Sequence, residues 1–271
     1  MMRRLVSGMG AATLGIAALL SVSAAQASWM MMDNFEGLTL GNIHGQNGWL
    51  LRTDAPASDP TAGNVVVDPM VPSNKVLAVT TKNARIRKAQ TIANNTTATL
   101  FTRFRFTGTK NFSFGMSDIA AAGGDFNDYE SQINMNNTAN ELKIRDAGTA
   151  DVLTTLNPDT WYNLWMVIDN ASDTTRVYLN TGMNGATSGN QLSNGGQTAF
   201  VFRNSGAAQP MLNLLVMTGS NPDHAGPLYL DDLYSDTGGQ NLTNPVPEPG
   251  TFVLLLGGLL GLAMFGWRRK A

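Results

Sequence analysis

Short stretches in which apolar and polar residues take turns run through most of the chain. In residues 99–106, Leu100, Thr102, Phe104 and Phe106 alternate with Thr99, Phe101, Arg103 and Arg105. Phe112, Phe114 and Met116 alternate with Asn111, Ser113 and Gly115, and Tyr129, Ser131, Ile133 and Met135 with Glu130, Gln132 and Asn134. A period of two puts one set on each face of an extended strand. The same reading predicts strands at 65–68, 75–80, 142–145, 161–169, 176–180, 199–203, 211–217 and 228–234. Each is short and bounded by Gly, Asn, Asp or Pro, the residues that favour turns. No stretch between the two termini carries a helical stripe. Strands with one polar face pair antiparallel and bury the other face, so the prediction is all-β: two antiparallel sheets packed as a β-sandwich, most simply a jelly roll.

The two ends break this pattern. Arg3 and Arg4 precede an apolar stretch over 14–22, and Ala25-Gln26-Ala27 offers small residues at a cleavage position. That reads as a secretory signal peptide over 1–27. At the other end, residues 251–267 are uncharged and match the roughly 17–25 residues that span a hydrocarbon layer. Arg268, Arg269 and Lys270 behind them hold that end in the cytoplasm by the positive-inside rule. The predicted organisation is a signal peptide (1–27), a sandwich domain (28–237), a linker (238–245) and a tail (246–271). The tail comprises a motif at 246–250, one transmembrane helix at 251–267 and a basic end at 268–270.

Val246, Pro247, Glu248, Pro249 and Gly250, followed by the apolar run and by Arg268 and Arg269, resemble the PEP-CTERM sorting tail of Gram-negative bacteria. The resemblance implies an exosortase-type membrane protease as partner and membrane attachment through the C-terminal helix before processing. The implied destination is the cell surface, outer envelope or extracellular matrix.

Composition narrows the chemistry. A net charge of −2 and no basic stripe in either half argue against a nucleic-acid partner. There is no cysteine and there are only two histidines, His44 and His224, which removes disulfides, thiol nucleophiles and most zinc sites. An exported chain without disulfides draws its stability from its core, from bound ions, or from both.

Trp161-Tyr-Asn-Leu-Trp-Met-Val-Ile-Asp169, a turn, and Arg176-Val-Tyr-Leu-Asn180 are similar to a hairpin of laminin-G-like and other concanavalin-like sandwiches. Asp33-Asn-Phe-Glu-Gly37 near the start and Leu228-Tyr-Leu-Asp-Asp-Leu-Tyr234 near the end resemble the brackets of carbohydrate-binding jelly rolls, as does Gly45-Gln-Asn-Gly-Trp49. The resemblance implies a structural calcium held by Asp33, Glu36, Asp231 and Asp232. Calcium takes six to eight oxygens, and a cation would explain two adjacent aspartates in an apolar strand. A sheet face carrying Arg103, Arg105, Glu130, Gln132 and Asn134, with Trp165 as an aromatic platform, is expected to hold exopolysaccharide. Rings stack on sugar faces while amides and guanidinium groups bond hydroxyls.

Catalysis is not expected. Asp128 and Glu130 share a face, but concanavalin-like glycosidases carry a third carboxylate. Gln132-Ile-Asn134 resembles the Gln-Ile-His of jelly-roll polysaccharide lyases, with Asn134 in place of the histidine. Neither His44 nor His224 stands beside a nucleophile motif. The expectation is therefore a non-catalytic, surface-sorted sandwich, with a jelly-roll lyase or hydrolase and a purely structural protein-binding sandwich as alternatives.

Overall fold

The computed structural model describes residues 29–52, 58–108, 111–120, 125–136, 139–181, 189–204, 209–219 and 226–245. The expected signal peptide, sorting motif and membrane helix lie outside the described residues. Among the described residues no helix is long and apolar enough to cross a membrane.

The strands in chain order are β1 (Met30–Asp33), β2 (Gly41–Asn42), β3 (Trp49–Leu51), β4 (Gly63–Val67), β5 (Lys75–Val79) and β6 (Arg85–Ile92). Next come β7 (Thr97–Phe106), β8 (Phe112–Ser117), β9 (Ser131–Asn136), β10 (Glu141–Asp146), β11 (Thr149–Thr155) and β12 (Tyr162–Asp169). The chain closes with β13 (Thr174–Thr181), β14 (Asn190–Gln191), β15 (Phe200–Val201), β16 (Met211–Thr218) and β17 (Leu228–Asp236). A single 3₁₀ turn, Phe126–Asp128, precedes β9.

Two antiparallel sheets result. The larger has ten strands in the order β14-β13-β12-β7-β17-β5-β4-β2, with β1 also on β17 and β15 also on β13. The smaller has seven, β11-β10-β9-β8-β16-β6-β3. The core lies between them. Leu100, Phe104, Leu164, Met166, Leu228 and Leu230 face it from the larger sheet, and Ile86, Phe114, Ile133, Ile144, Leu214 and Val216 from the smaller. Alternation therefore assigns these inward residues as predicted, except at Tyr129, which shares a face with Ile133 by spacing but packs on Leu215 and Met217 outside the core. Each inward side chain contributes about 1.5–3 kcal/mol on leaving water.

The strands missed by the sequence reading are those whose inward residues are few or polar. In β6 the inward set is Ile86, Lys88, Gln90 and Ile92, all buried. β11 is an edge strand whose residues are at most half-buried.

Two irregularities shape the surface of the larger sheet. Register slips between Asp231 and Tyr234 on β17, and Asp232 takes φ 50°, the left-handed conformation of a bulge. The expected linker is not free chain but is strapped to the domain. Asn241 N donates to Thr99 Oγ1 (2.9 Å), and Trp165 Nε1 and Trp29 Nε1 donate to Thr243 O and Oγ1 (3.1 and 3.0 Å). Leu242 packs on Phe101, Trp165, Val167 and Tyr178. Polar and glycine-rich composition hides this docking, which rests on one apolar side chain and a few hydrogen bonds.

Candidate functional site

The expected sugar-binding residues divide between the two outer surfaces of the sandwich. Arg103, Arg105 and Trp165 lie on the outer face of the larger sheet, and Glu130, Gln132 and Asn134 on or beside that of the smaller. They form no common face. Alternation tells which residues of one strand share a side, but not which sheet the strand joins; β7 and β9 join different sheets.

On the larger sheet the polar side chains form a closed cluster. Arg103 stands opposite Asn163 and Asp231 in register, and Arg105 opposite Tyr229. Both guanidinium groups lie over the Trp161 ring (5.3 and 5.6 Å), and Arg105 also over Tyr229 at 4.3 Å. Their charges are met by Asp232 at 2.8 Å and by Asp68 at 3.5 Å. Asn163 and the Trp161 indole N–H find no hydrogen-bond partner there. With Asn163 fully buried and Trp161 3% exposed, this layer is packed interior rather than a groove. Trp165, also fully buried, spends its N–H on Thr243 and has no free ring face for a sugar.

The expected calcium ligands do not converge. Asp33 Oδ1 accepts from Phe35 N (2.9 Å), and its Oδ2 accepts from Trp49 Nε1 (2.7 Å) and Asn47 Nδ2 (2.9 Å), with Lys88 Nζ at 3.5 Å. Glu36 Oε1 accepts from Lys75 N, and Asp231 from Asn74 Nδ2 and Asp232 N, each at 2.8 Å. Asp232 faces Arg103. A calcium ion needs oxygens pointing inward on one centre, whereas these point at N–H donors and a guanidinium. Among the described residues no three Asp, Glu or His side chains are placed to hold a metal. The adjacent aspartates are instead accommodated by burial and by Arg103. Burial, then the neighbouring Asp232 charge, pushes the Asp231 carboxyl up to about 8. Asp232 is also raised, by burial, against the opposing pull of Arg103.

The smaller sheet offers a different surface. Across its outer face one register row runs Leu50, Arg87, Leu215, Gly115, Gln132. The next runs Arg85, Met217, Ser113, Asn134, Lys143. Gly115 is required in the middle, because a Cβ there would meet Ser131 O at 1.9 Å. Tyr129 packs on Leu215 and Met217 with half-buried Phe126 beside it, and donates its hydroxyl to Ser113 O (3.1 Å). Gln132 is held from both sides: its Nε2 donates to Ser113 Oγ (2.8 Å), and its Oε1 accepts from Arg203 Nη1 (2.7 Å). Asn134 Oδ1 has no partner.

Arg52, Arg85, Arg87, Lys143, Arg145 and Arg203, all partly exposed, belong to this face. Arg85 and Lys143 are tied to Asp125 (3.3 Å) and Glu141 (3.0 Å). Burial lowers the Arg203 pKa, and repulsion from Arg145 lowers it further. Alternation in the predicted strand 142–145 puts Lys143 and Arg145 on one side, whereas no sequence pattern singles out Arg52, Arg85, Arg87 or Arg203. Arg203, the last residue of the predicted strand 199–203, reaches the face from the segment after β15, and nothing in its spacing points to Gln132.

At one end of this sheet Glu130, Asp118 and Asp173 line a cavity of about 30 Å³ with Asn170, Asn204 and Gln209. Burial, followed by the Asp118 charge, raises Glu130 to about 7.

No curated protein matches the chain in sequence. In structure it is similar to a sialidase, with TM-score 0.52 and 11% identity, over 77% of this chain and 18% of that one. The chain thus spans less than a fifth of that protein's length. It is also similar to the catalytic domain of a glycoside hydrolase family 131 protein from Coprinopsis cinerea (TM-score 0.44, 16% identity, 72% of this chain and 86% of that one). A third likeness is to carbohydrate binding module CBM66 from Bacillus subtilis (TM-score 0.40, 9% identity, 70% and 95%). The fold is a concanavalin-like β-sandwich. Residues 245–270 match the PEP-CTERM protein-sorting motif, which marks the chain for export and membrane-associated sorting by the exosortase system.

Proposed function

We propose that this chain is a non-catalytic, exported component of the cell surface or extracellular matrix that holds polysaccharide on the outer face of its smaller sheet. The observation that carries this reading is the rim of partly exposed Arg85, Arg87, Asn134, Lys143, Arg145 and Arg203 around buried Gly115 and Gln132. Such groups bond sugar hydroxyls, and Phe126 adds a ring edge beside them. The larger sheet, closed over Trp161, has no comparable surface. Export through the exosortase system, which the sorting motif indicates, supports a location among such glycans.

A second reading, a polysaccharide-cleaving enzyme, draws on Glu130, whose raised pKa suits a general acid. The cavity beside it is about the size of one water molecule, far short of a sugar ring. Binding is therefore preferred. The test is retention of the purified processed protein on a panel of bacterial exopolysaccharides, with the chain length of each glycan followed over time. Retention without shortening supports the binding role. Shortening that Glu130→Gln abolishes establishes the enzyme, and retention on no glycan overturns both.

A further inference from the structure

Between residues 28 and 245 the sequence holds 13 Lys and Arg against 19 Asp and Glu, and part of that acidic surplus gathers at one end of the smaller sheet. Asp118 follows β8, Glu130 precedes β9, and Asp173 ends the turn from β12 to β13, so loops of both sheets bring three carboxylates to one cavity of about 30 Å³. The Ser131 and Thr175 hydroxyls, 2.7 Å apart, join the sheets beside it. Among the described residues neither the Asp118 nor the Asp173 carboxylate has a hydrogen bond or an ion pair, and Glu130 has only the Asn204 amide at 3.4 Å. The neighbouring Arg203 gives its guanidinium to Gln132 and Asn127 instead. Burial, then Asp118 and more weakly Asp173, raises the Glu130 carboxyl to about 7, as expected where like charges crowd with no cation to offset them.

A buried amide oxygen completes the site. Asn170 is 3% exposed and lines the same cavity. Its Nδ2 donates to Gln209 O (2.9 Å) and Ala93 O (3.3 Å), which fixes the amide and leaves Oδ1 without a donor among the described residues. A buried acceptor left in this way costs about 1–3 kcal/mol until a donor arrives. Three carboxylates and a carbonyl oxygen call for a small cation rich in N–H or O–H donors. No three carboxylates here are placed to hold a metal ion. An ammonium group differs: it carries three donors, bonds at about 2.7–2.9 Å, and is about the size of the single water that such a cavity holds. Buried Phe202 and Met211 on the cavity wall lower the local dielectric and strengthen its pairing.

Resting on the glycan-binding reading above, we infer that the polysaccharide carries free amino groups, and that the ammonium of one amino sugar enters this cavity while its ring lies outside along the sheet. The cavity admits the amino group and excludes the ring. An N-acetylated sugar lacks both the charge and the small size, so the site selects the free amine.

The test measures affinity of the full processed protein for three oligosaccharides of equal length: a glucosamine oligomer, its fully N-acetylated form and a neutral glucan. Glucosamine oligomer bound at least tenfold more tightly than the other two is expected. Asp118→Asn and Asp173→Asn keep the side-chain shape and remove a charge, and asparagine accepts the φ of 52° at position 173. Each should weaken glucosamine binding about tenfold, the loss of one charge-assisted hydrogen bond, and leave the acetylated oligomer unaffected. The contrast between free and acetylated oligomers needs no variant, so it decides the matter even if a variant fails to fold. Acetylated oligomer bound as tightly as the free amine overturns the inference but leaves the proposed function standing. Glucosamine binding that neither folded variant weakens is bulk attraction to an acidic domain, and displacement of the oligomer by calcium assigns the cavity to a metal; either overturns the inference. A lysine peptide held through the same aspartates, with no glycan bound, overturns both.

Discussion

Arg103 Nη1 donates to Asp232 Oδ2 at 2.8 Å, with both side chains largely out of solvent. The pair sits where the β17 bulge turns Asp232 toward β7, so a local backbone irregularity and a charge have been matched to each other. Arg103→Ala leaves a buried carboxylate without its cation, a loss of about 3–5 kcal/mol. The double variant Arg103→Met, Asp232→Asn should recover most of it, since asparagine accepts the left-handed backbone at that position. Urea unfolding of the three proteins decides the matter. A double variant no more stable than Arg103→Ala would show that the pair is not the source of the loss.

Stability should fall as pH rises. Asp231 is held protonated by burial and by Asp232, with its folded pKa raised to about 8 from an ordinary value of 3.8. The folded state then binds more protons than the unfolded state between those values. Its stabilising contribution is complete below the lower one and lost as pH climbs through the upper. Glu130 adds a shallower loss that ends near 7. Asp231→Asn should remove most of the slope between about pH 4 and about pH 8, provided the Asn74 amide flips to present its oxygen. Denaturation midpoints across that range that leave the slope of the variant unchanged would assign it elsewhere.

Gly115 stands opposite Gln132 where β8 and β9 pair. Gly115→Ala places a methyl carbon within 1.9 Å of Ser131 O, a backbone atom that cannot rotate away. The strands must part, which should cost at least the roughly 1–3 kcal/mol of an overpacked site. Gln132, next to Ser131, should lose its bond to Ser113 at the same time. Thermal unfolding and glycan retention should therefore fall together, and a variant with native stability would refute the contact.

Calcium should leave the melting temperature of the exported domain unchanged, since the candidate carboxylates already face N–H groups and Arg103. Asp33→Ala, in contrast, should cost about 1–3 kcal/mol with or without the ion, because the Trp49 indole N–H is left buried without its acceptor. Melting curves in calcium and in chelator test both statements. A rise of several degrees with calcium that Asp33→Ala removes would restore the metal site.

The sandwich was legible in the chain wherever inward positions are apolar. β7, β8, β9, β12, β16 and β17 all show their alternation directly, and their inward residues form the core. β6 was not legible because Lys88 and Gln90 occupy inward positions; the first is accommodated by Asp33 and the Trp49 ring. The candidate site was half legible. Gln132 and Asn134 share a face by spacing alone, whereas the partnership of Gln132 with Arg203 joins residues 71 positions apart. The partners of the expected calcium ligands were hidden for a related reason. Charge spacing in a sequence does not reveal that a neighbouring strand brings an arginine, nor that Asp33 turns toward an indole.

The strap formed by Asn241, Leu242 and Thr243 ends at the point where the sorting motif begins. Among the described residues, every contact that holds it lies upstream of the Pro-Glu-Pro sequence. Cleavage at or beyond that sequence therefore removes none of these bonds. The sorting motif thus begins directly after a segment held on the sandwich, so the fold reaches as far as the sorting sequence.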